Sequence, residues 1–193
     1  MKNGFTIIEV SILLIIFLIV AFLVAPLSLD DTMQAKNTSR WRNVQADFSN
    51  IFYSAESAKA QNNLDFKIAL ENVISGDIKT DVKNYRITFL NNTYPDENYR
   101  FNNFKLTNSN ATLAIKYFDD SENSTLKGML MYDVNGITGP NTWGKDVFGM
   151  NIYEDRFEPF CKADKVKTQA EDCSKTGTGL CCSNYYLIGG SFD

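Results

Sequence analysis

The chain contains no histidine among its 193 residues, and histidine is the side chain that most often serves as a general base near neutral pH. Its absence excludes histidine-dependent catalytic triads and most catalytic zinc or iron sites. Basic residues are also in the minority, with 19 lysines and arginines against 23 aspartates and glutamates and a net charge of -4. An acidic chain is a poor electrostatic partner for a phosphate backbone. The composition therefore argues against an enzyme and against a direct nucleic-acid partner.

Charged residues are almost absent from Phe5 to Leu29, where Glu9 is the single charged side chain. A helix over this range is about 37 Å long at 1.5 Å per residue, against roughly 30 Å for the hydrocarbon core of a bilayer. The alternatives are a cleaved secretory signal, a plain membrane anchor and a span that uses Glu9. Pro26 stands directly where signal cleavage would fall. A plain anchor has no use for a carboxylate that costs about 2.5 to 3.5 kcal/mol in the membrane, so the third alternative is favoured.

The residues around the start of this apolar run form a motif. A short basic leader, Met1-Lys2-Asn3-Gly4, precedes Phe5, Glu9 is the fifth residue counted from Phe5, and Pro26 follows seventeen residues after Glu9. This motif resembles the N-terminus of type IV pilins and of type II secretion pseudopilins. The resemblance implies cleavage between Gly4 and Phe5 by a prepilin peptidase and N-methylation of Phe5. It also implies a role for Glu9 in filament assembly and a bend or local melting of the first helix at Pro26.

Glu9 has a physical role that does not depend on the family. Cleavage after Gly4 leaves a cationic amine on Phe5 in an apolar environment, and the carboxylate of Glu9, on the same chain or on a neighbour, is the nearest partner. A pair between neighbours fixes the axial stagger of their helices. The alternative is that Glu9 reaches the lipid headgroups from near the helix end. Pro26 also has a simpler alternative, since a lost backbone hydrogen bond is tolerated where a helix leaves the membrane.

The first helix is predicted to continue beyond the membrane, because no glycine or proline occurs between Pro26 and Gly76. Its apolar residues recur at intervals of three and four, the spacing of one helix face, at Trp41, Val44, Phe48, Ile51, Phe52, Ala55 and Ala58. We expect this stripe to pack on a sheet. Asn62-Asn63 is the expected break, and a shorter helix is predicted from Leu64 to Ile74.

The periodicity changes in the second half of the chain. Strands are predicted at residues 85–89, 111–117, 128–134 and 147–153, separated by polar segments that are typical of an antiparallel meander. The fold class expected is α+β, with a long N-terminal helix packed on an antiparallel sheet of about four strands and a disulfide-closed C-terminal region. The expected organisation is a leader peptide at 1–4, a transmembrane and assembly helix at 5–29 and an ectodomain at 30–193.

A loop rich in aspartate and glycine is expected between the third and fourth predicted strands, from Asp133 to Asp146. It begins with Asp-x-Asn-Gly, as calcium loops do, but it is not an EF-hand, because its glycine comes at the fourth place and Gly144 occupies the twelfth. The candidate ligands of an irregular calcium site are Asp133, Asn135, Asn141 and Asp146. The alternative is a hairpin connection in which the two aspartates cap backbone groups.

The four cysteines, Cys161, Cys173, Cys181 and Cys182, all lie near the C-terminus. A chain exported across a membrane meets oxidising conditions, so disulfides are the first interpretation. A bond between the adjacent Cys181 and Cys182 would strain the peptide between them, so Cys161 and Cys173 are each expected to pair with one of these two. Which pairs with which stays open. Zinc is the alternative, although the spacing fits poorly with paired C-x-x-C knuckles.

These expectations combine into a structural, non-enzymatic role. The chain is expected to be a subunit of a type IV pilus or a type II secretion pseudopilus, polymerised through its N-terminal hydrophobic helix. The resemblance implies a single-pass protein of the bacterial inner membrane that then enters a periplasmic or extracellular filament. The implied partners are other pilin or pseudopilin subunits, the prepilin peptidase and N-methyltransferase, the inner-membrane assembly platform and membrane lipid.

Two other functions compete with this one. The first is a low-abundance minor pilin or adhesin that uses its C-terminal disulfide region for surface or ligand binding. Tyr185 and Tyr186 in that region are better explained as packing residues than as contact residues. The second is a membrane-anchored enzyme, which is the weaker alternative because the sequence has no nucleophile-base pair, phosphate loop or paired metal motif.

Overall fold

A computed structural model describes residues 7–62, 64–118 and 125–192, and for residues 21–31 it describes the backbone but not the side chains. The chain divides into two units, Met1–Lys36 and Asn37–Asp193. Gly4 and Phe5, the expected processing junction, lie outside the described residues.

Helix α1 runs from Ile7 to Asn62 and therefore begins in the first unit. The side chains of residues 7–20 are all exposed, with Ile7 at 85% and Phe17 at 69%. The backbone of Pro26 falls within α1, whereas its side chain is not among those described. Among the residues that the structure describes, no helix has an apolar stretch long enough to cross a membrane.

The part of α1 that belongs to the second unit buries the predicted apolar stripe. Trp41 and Ala55 are completely buried, and Phe48 is 3% exposed. The ring of Trp41 stacks on Phe148, with 4.9 Å between the ring centroids. The expectation that this face of the helix packs on a sheet is confirmed.

Helix α2 spans Phe66–Ser75, close to the predicted range of 64–74. Asp65 begins it, because its side-chain oxygen accepts a hydrogen bond from the backbone N–H of Lys67 at 2.8 Å and so caps the first turn. Ala69 and Leu70 are completely buried, so α2 packs through the face that its apolar pattern predicts.

The second half of the chain forms one antiparallel sheet of six strands that lie side by side in chain order. The strands are β1 (Ile78–Asp81), β2 (Lys105–Thr107), β3 (Thr112–Tyr117), β4 (Leu126–Asp133), β5 (Val147–Tyr153) and β6 (Phe157–Pro159). The α+β class and the antiparallel meander are confirmed, but the expected count of about four strands is too low. β1, β2 and β6 have only three or four residues, which is too few for an alternating pattern to be recognised.

The strand predicted at residues 85–89 is wrong. Within this fully described segment, Thr88 alone makes a bridge, to Thr142, and the N–H of Phe89 bonds instead to the main-chain oxygen of Thr93 at 2.8 Å. Ile87 and Phe89 are nevertheless buried. The alternating pattern therefore reflects an extended loop that lies on the core, not a strand paired in the sheet.

The sheet is apolar on both faces, as the sequence of β4 indicates. Leu130 belongs to the core cluster that includes residues of α1 and α2, whereas its neighbours Met129 and Met131 belong to a second cluster with Phe101 and Trp143. Successive residues of a strand point to opposite faces. The helices therefore cover one face of the sheet, and the long connection between β1 and β2 covers the other.

Two short helices, α3 (Val166–Asp172) and α4 (Cys182–Tyr185), follow the sheet. Their region has no apolar periodicity, and neither helix is predicted from the sequence. Gln169 of α3 is buried, and its amide donates to the main-chain oxygens of Cys161 at 3.0 Å and Asp164 at 2.8 Å. Hydrogen bonds of this kind and the disulfides add to the apolar packing of Leu180, Cys182 and Tyr186 as sources of order here.

We expect Trp41→Ala to lower the free energy of unfolding by about 3 to 5 kcal/mol, measured by urea denaturation. The substitution removes a completely buried ring and an indole N–H that donates to the main-chain oxygen of Ser183 at 2.8 Å. Tyr53→Ala is the control, because Tyr53 lies on the same helix but is 71% exposed, and it should change stability by about 0.5 kcal/mol or less. Equal losses in the two variants would contradict the placement of Trp41 in the core.

Candidate functional site

The connection between β4 and β5 carries two buried carboxyl groups. Asp133 ends β4, Asp146 directly precedes β5, and both residues are 0% exposed. Asp133 lies opposite Val147 in the sheet, and the N–H of Val134 donates to the main-chain oxygen of Asp146 at 2.9 Å. The antiparallel register therefore brings the two ends of the loop, and with them both aspartates, to the same place.

Asp133 caps the turn that begins the loop. Its Oδ1 accepts hydrogen bonds from the backbone N–H groups of Asn135 at 2.9 Å and Gly136 at 3.0 Å, and its Oδ2 accepts one from the hydroxyl of Tyr85. Gly136 has a φ of 78°, and a Cβ there would collide with the main-chain oxygen of Asn110. The Asp-x-Asn-Gly sequence therefore forms a capped turn whose fourth place requires glycine.

Asp146 caps the other end of the loop. Its Oδ1 accepts a hydrogen bond from the N–H of Thr142 at 2.6 Å, and its Oδ2 accepts one from the N–H of Asn141 at 2.8 Å. The side-chain amide of Asn135 also donates to Oδ2, at 3.1 Å. Asn135 thus bonds to both carboxyl groups, through its backbone to Asp133 and through its side chain to Asp146.

Burial changes the ionisation of this cluster. Loss of water, together with the nearby charge of Asp146, raises the pKa of Asp133 to about 8, although the hydrogen bond from Tyr85 acts in the opposite direction. Burial also raises the pKa of Asp146, against the hydrogen bonds from Thr142 and Asn141. Two carboxyl groups in one dry environment do not both ionise easily. In the absence of a cation, we therefore expect Asp133 to hold a proton at pH 7.

The geometry bears on both interpretations of the loop. The capping role is observed directly, because every oxygen of Asp133 and Asp146 accepts at least one hydrogen bond. The structure also brings together all four residues predicted as calcium ligands. Within the described part of the chain, the side-chain oxygens of Asn135 and Asn141 are buried and have no hydrogen-bond partner. Calcium prefers carboxylate and amide oxygens of this kind, so the residues fit the ion and calcium binding stays a prediction.

Tyr85 belongs to this site but was not predicted to do so. It precedes Asp133 by 48 residues and lies in the segment that resembles a strand. Burial and the neighbouring carboxyl of Asp133 raise the pKa of Tyr85, so its hydroxyl stays protonated as a donor. Its position depends on how the connection between β1 and β2 folds over the sheet, and no local pattern in the sequence reports that.

The C-terminal region is closed by two disulfides, Cys161–Cys181 and Cys173–Cys182. The expectation that Cys161 and Cys173 each pair with one of the adjacent two is confirmed, and the connectivity is now assigned. All four cysteines are described and none is free. Disulfide sulfurs do not act as thiolate ligands, so the zinc alternative is wrong, and the cluster of Cys161, Asp164 and Cys181 is not a metal site for the same reason.

The two tyrosines that follow the cysteines are packing residues rather than exposed contacts. Tyr186 is 1% exposed, and its hydroxyl donates to the main-chain oxygen of Gly144 at 3.0 Å. Tyr185 is half-buried. The hydrogen bond of Tyr186 connects the disulfide-closed region directly to the loop that carries the two aspartates.

The residues predicted to act in assembly lie mostly outside the described side chains. Glu9 is described, lies in the first turn of α1 and is exposed. Gly4, Phe5 and the side chain of Pro26 are not described. The roles predicted for these four residues therefore stay predictions.

Comparison of the chain with models of known protein families found no match, and comparisons with curated proteins and with solved structures found no significant match.

We expect stability to fall as the pH rises from about 4 to 8, measured by urea denaturation with a chelator present. The unfolded chain loses the proton of Asp133 near pH 3.9, whereas the folded chain keeps it until about pH 8, so rising pH favours unfolding. The slope contributed by this group is at most about 1.4 kcal/mol per pH unit. Asp133→Asn should flatten the profile, whereas Asp155→Asn, at an exposed position, should not. An unchanged slope in Asp133→Asn would contradict the assignment.

We expect millimolar calcium to raise the melting temperature of the wild-type protein and not that of Asp133→Ala, measured by calorimetry. Calcium requires ionised Asp133, so the increase should be larger at pH 8 than at pH 6. Asp155→Ala is the control and should keep the increase, because Asp155 is exposed and lies outside the loop. Absence of any increase in the wild type at pH 8 would leave the loop as a capped turn alone.

Proposed function

We propose that the chain is a structural subunit of a type IV pilus or of a type II secretion pseudopilus. The observation that carries the proposal is the N-terminal motif, in which Gly4 precedes Phe5, Glu9 is the fifth residue from Phe5, and the surrounding segment is otherwise uncharged up to Leu29. Cleavage after Gly4 and methylation of Phe5 are part of the proposal.

The exposed surface at the start of α1 supports an assembly role. Twelve large apolar side chains between residues 7 and 20 are 45% to 85% exposed, and they are Ile7, Ile8, Val10, Ile12, Leu13, Leu14, Ile15, Ile16, Phe17, Leu18, Ile19 and Val20. Burial of a single side chain of this kind contributes about 1.5 to 3 kcal/mol. A continuous apolar surface of this size is typical of a membrane or protein interaction site. We propose that lipid covers it before assembly and that the helices of neighbouring subunits cover it in the filament.

Glu9 is the single charged side chain between Phe5 and Leu29. It can therefore define the position of one helix relative to its neighbour. Apolar contacts between helices are non-directional and specify no register. A pair between the Glu9 carboxylate and a cation of a neighbouring subunit, such as the amine of Phe5, forms at one axial offset only. In this proposal apolar burial supplies the driving force for assembly, and Glu9 selects the stagger.

The same proposal assigns the cellular location and the partners of the chain. Before assembly it is a single-pass protein of the bacterial inner membrane, where a prepilin peptidase and N-methyltransferase processes it. The assembly platform of that membrane then transfers it into a periplasmic or extracellular filament. Its partners are other pilin or pseudopilin subunits, and its role is structural rather than enzymatic.

The C-terminal region favours a second candidate, a low-abundance minor pilin or adhesin. Two disulfides stabilise this region, and it exposes apolar side chains at Val166 (58%) and Ile188 (52%). A segment that disulfides hold in one conformation and that exposes apolar side chains is suited to contact a partner. The copy number of the chain in purified filaments separates the two candidates, because a main subunit is abundant and a minor subunit is scarce.

We expect Glu9→Ala to leave membrane insertion intact and to reduce incorporation into filaments at least tenfold, measured by quantifying the chain in the membrane and sheared-filament fractions of cells. The reason is that the substitution removes the charge that fixes the stagger but keeps the apolar surface. Ser11→Ala is the matched control, because the Ser11 hydroxyl donates to the main-chain oxygen of Ile7 at 2.8 Å and is satisfied within the helix.

Mass spectrometry of the chain recovered from filaments gives an independent measurement. The proposal requires a mature N-terminus at Phe5 that carries a methyl group on its amine. An intact Met1, or normal filaments from Glu9→Ala, would contradict the proposal.

A further inference from the structure

The connection between β1 and β2 folds into a cleft that the roles described above do not use. The cleft has a volume of about 420 Å³, and its lining includes Tyr85, Arg86, Tyr94, Tyr99, Arg100 and Phe104. This volume falls within the range of small-molecule sites in proteins. The cleft belongs to the second unit, whereas the exposed apolar part of α1 belongs to the first.

Packed aromatic rings form the walls of the cleft. The rings of Tyr85 and Phe104 lie 4.7 Å apart, and the ring of Tyr99 packs edge-on against Phe160 at 5.9 Å. The hydroxyl of Tyr85 is held by Asp133, which fixes the orientation of that ring. Tyr94 differs from these, because it is 69% exposed. The cleft therefore combines a rigid aromatic wall with one aromatic ring at its rim that is open to solvent.

Two arginines supply the charge of the cleft. Arg86 and Arg100 are exposed, and neither guanidinium group has a hydrogen bond or ion pair with any residue that the structure describes. None of the described residues that line the cleft carries a carboxylate. The nearby carboxylate of Asp96 accepts the backbone N–H groups of Asn98 at 3.0 Å and Tyr99 at 3.3 Å, so it is engaged in a turn. The two arginines therefore keep their hydrogen-bonding capacity for a ligand.

We propose that this cleft binds a small ligand that combines a planar ring with a carboxylate or phosphate group. The planar guanidinium of arginine matches the geometry of these two oxyanions, to which it donates two parallel hydrogen bonds. The aromatic walls stack with a planar ring, and the exposed ring of Tyr94 offers it a second face. The proposal goes beyond the assembly role and does not rest on it.

The experiment is a calorimetric titration of the full chain in a non-ionic detergent. The probes are 1-naphthyl phosphate and 1-naphthoate, which carry the same ring and differ in the oxyanion, so the two arms separate phosphate from carboxylate recognition. We expect at least one of them to bind with a dissociation constant on the order of 0.5 mM, which is ordinary for a ligand of this size. Inorganic phosphate, 1-naphthol and cyclohexanecarboxylate should each bind at least about tenfold more weakly, because each lacks the anion or the planar ring.

Variants assign the binding to the cleft. Arg86→Gln and Arg100→Gln should each weaken binding about tenfold, since each removes a charged hydrogen-bond donor, and Tyr94→Ala should weaken it by a similar factor. All three residues are exposed, so we expect the melting temperatures of these variants to match that of the wild type. Lys175→Gln is the control, because it makes the same change of charge at an exposed position in the disulfide-closed region and should bind as the wild type does.

Three results would overturn the proposal. The first is no saturable binding of either naphthyl probe up to 10 mM, on the order of twentyfold above the expected dissociation constant. The second is equal binding of the planar and saturated acids, or of inorganic phosphate, which would remove the requirement for a planar ring. The third is wild-type affinity in all three cleft variants, which would place the binding elsewhere on the chain.

Discussion

The burial of Trp41 is the interaction on which the second unit depends. Its ring stacks on Phe148 of β5, and its indole N–H donates to the main-chain oxygen of Ser183 in α4. The hydroxyl of Ser183 in turn accepts the N–H of Gly149, in the same strand as Phe148, at 2.9 Å. One side chain thus connects the long helix, the sheet and the disulfide-closed region. Because its N–H is satisfied, the indole ring of Trp41 is buried without the cost of an unpaired polar group.

The loop between β4 and β5 follows a different principle, because its order comes from buried polar groups. Asp133 and Asp146 satisfy the backbone N–H groups of a connection that would otherwise be buried without partners. The arrangement places two acids in one environment and raises the pKa of both. Tyr85 lines the aromatic cleft and its hydroxyl donates to Asp133, so one hydrogen bond joins the cleft to the loop.

The sequence was informative wherever periodicity extends over several turns or several strand residues. The stripe from Trp41 to Ala58 and the strand at 147–153 were predicted because apolar side chains repeat there with a clear period. Strands of three or four residues, such as β2 and β6, are too short to show an alternating pattern. They form because they pair with neighbouring strands of the sheet. The four loop residues proposed as ligands do come together, since the register of β4 and β5 alone brings the ends of the loop close.

Contacts between segments that are distant in the sequence cannot be predicted from local periodicity. The bond between Tyr85 and Asp133 and the choice between Cys181 and Cys182 as disulfide partners both depend on the folded path of the whole chain. The adjacency of Cys181 and Cys182 makes the two possible connectivities equivalent in the sequence. Only the positions of α3 and of the segment after β6 distinguish them.

Three consecutive residues of α1 anchor the helix to the rest of its unit through the same kind of contact. The side chains of Arg40, Trp41 and Arg42 donate to the main-chain oxygens of Val134 at 3.3 Å, Ser183 at 2.8 Å and Tyr186 at 2.9 Å. A mechanical force applied along the helix axis loads these three attachments simultaneously, because they leave the helix at one level. Such a load is shared among three hydrogen bonds rather than carried by one.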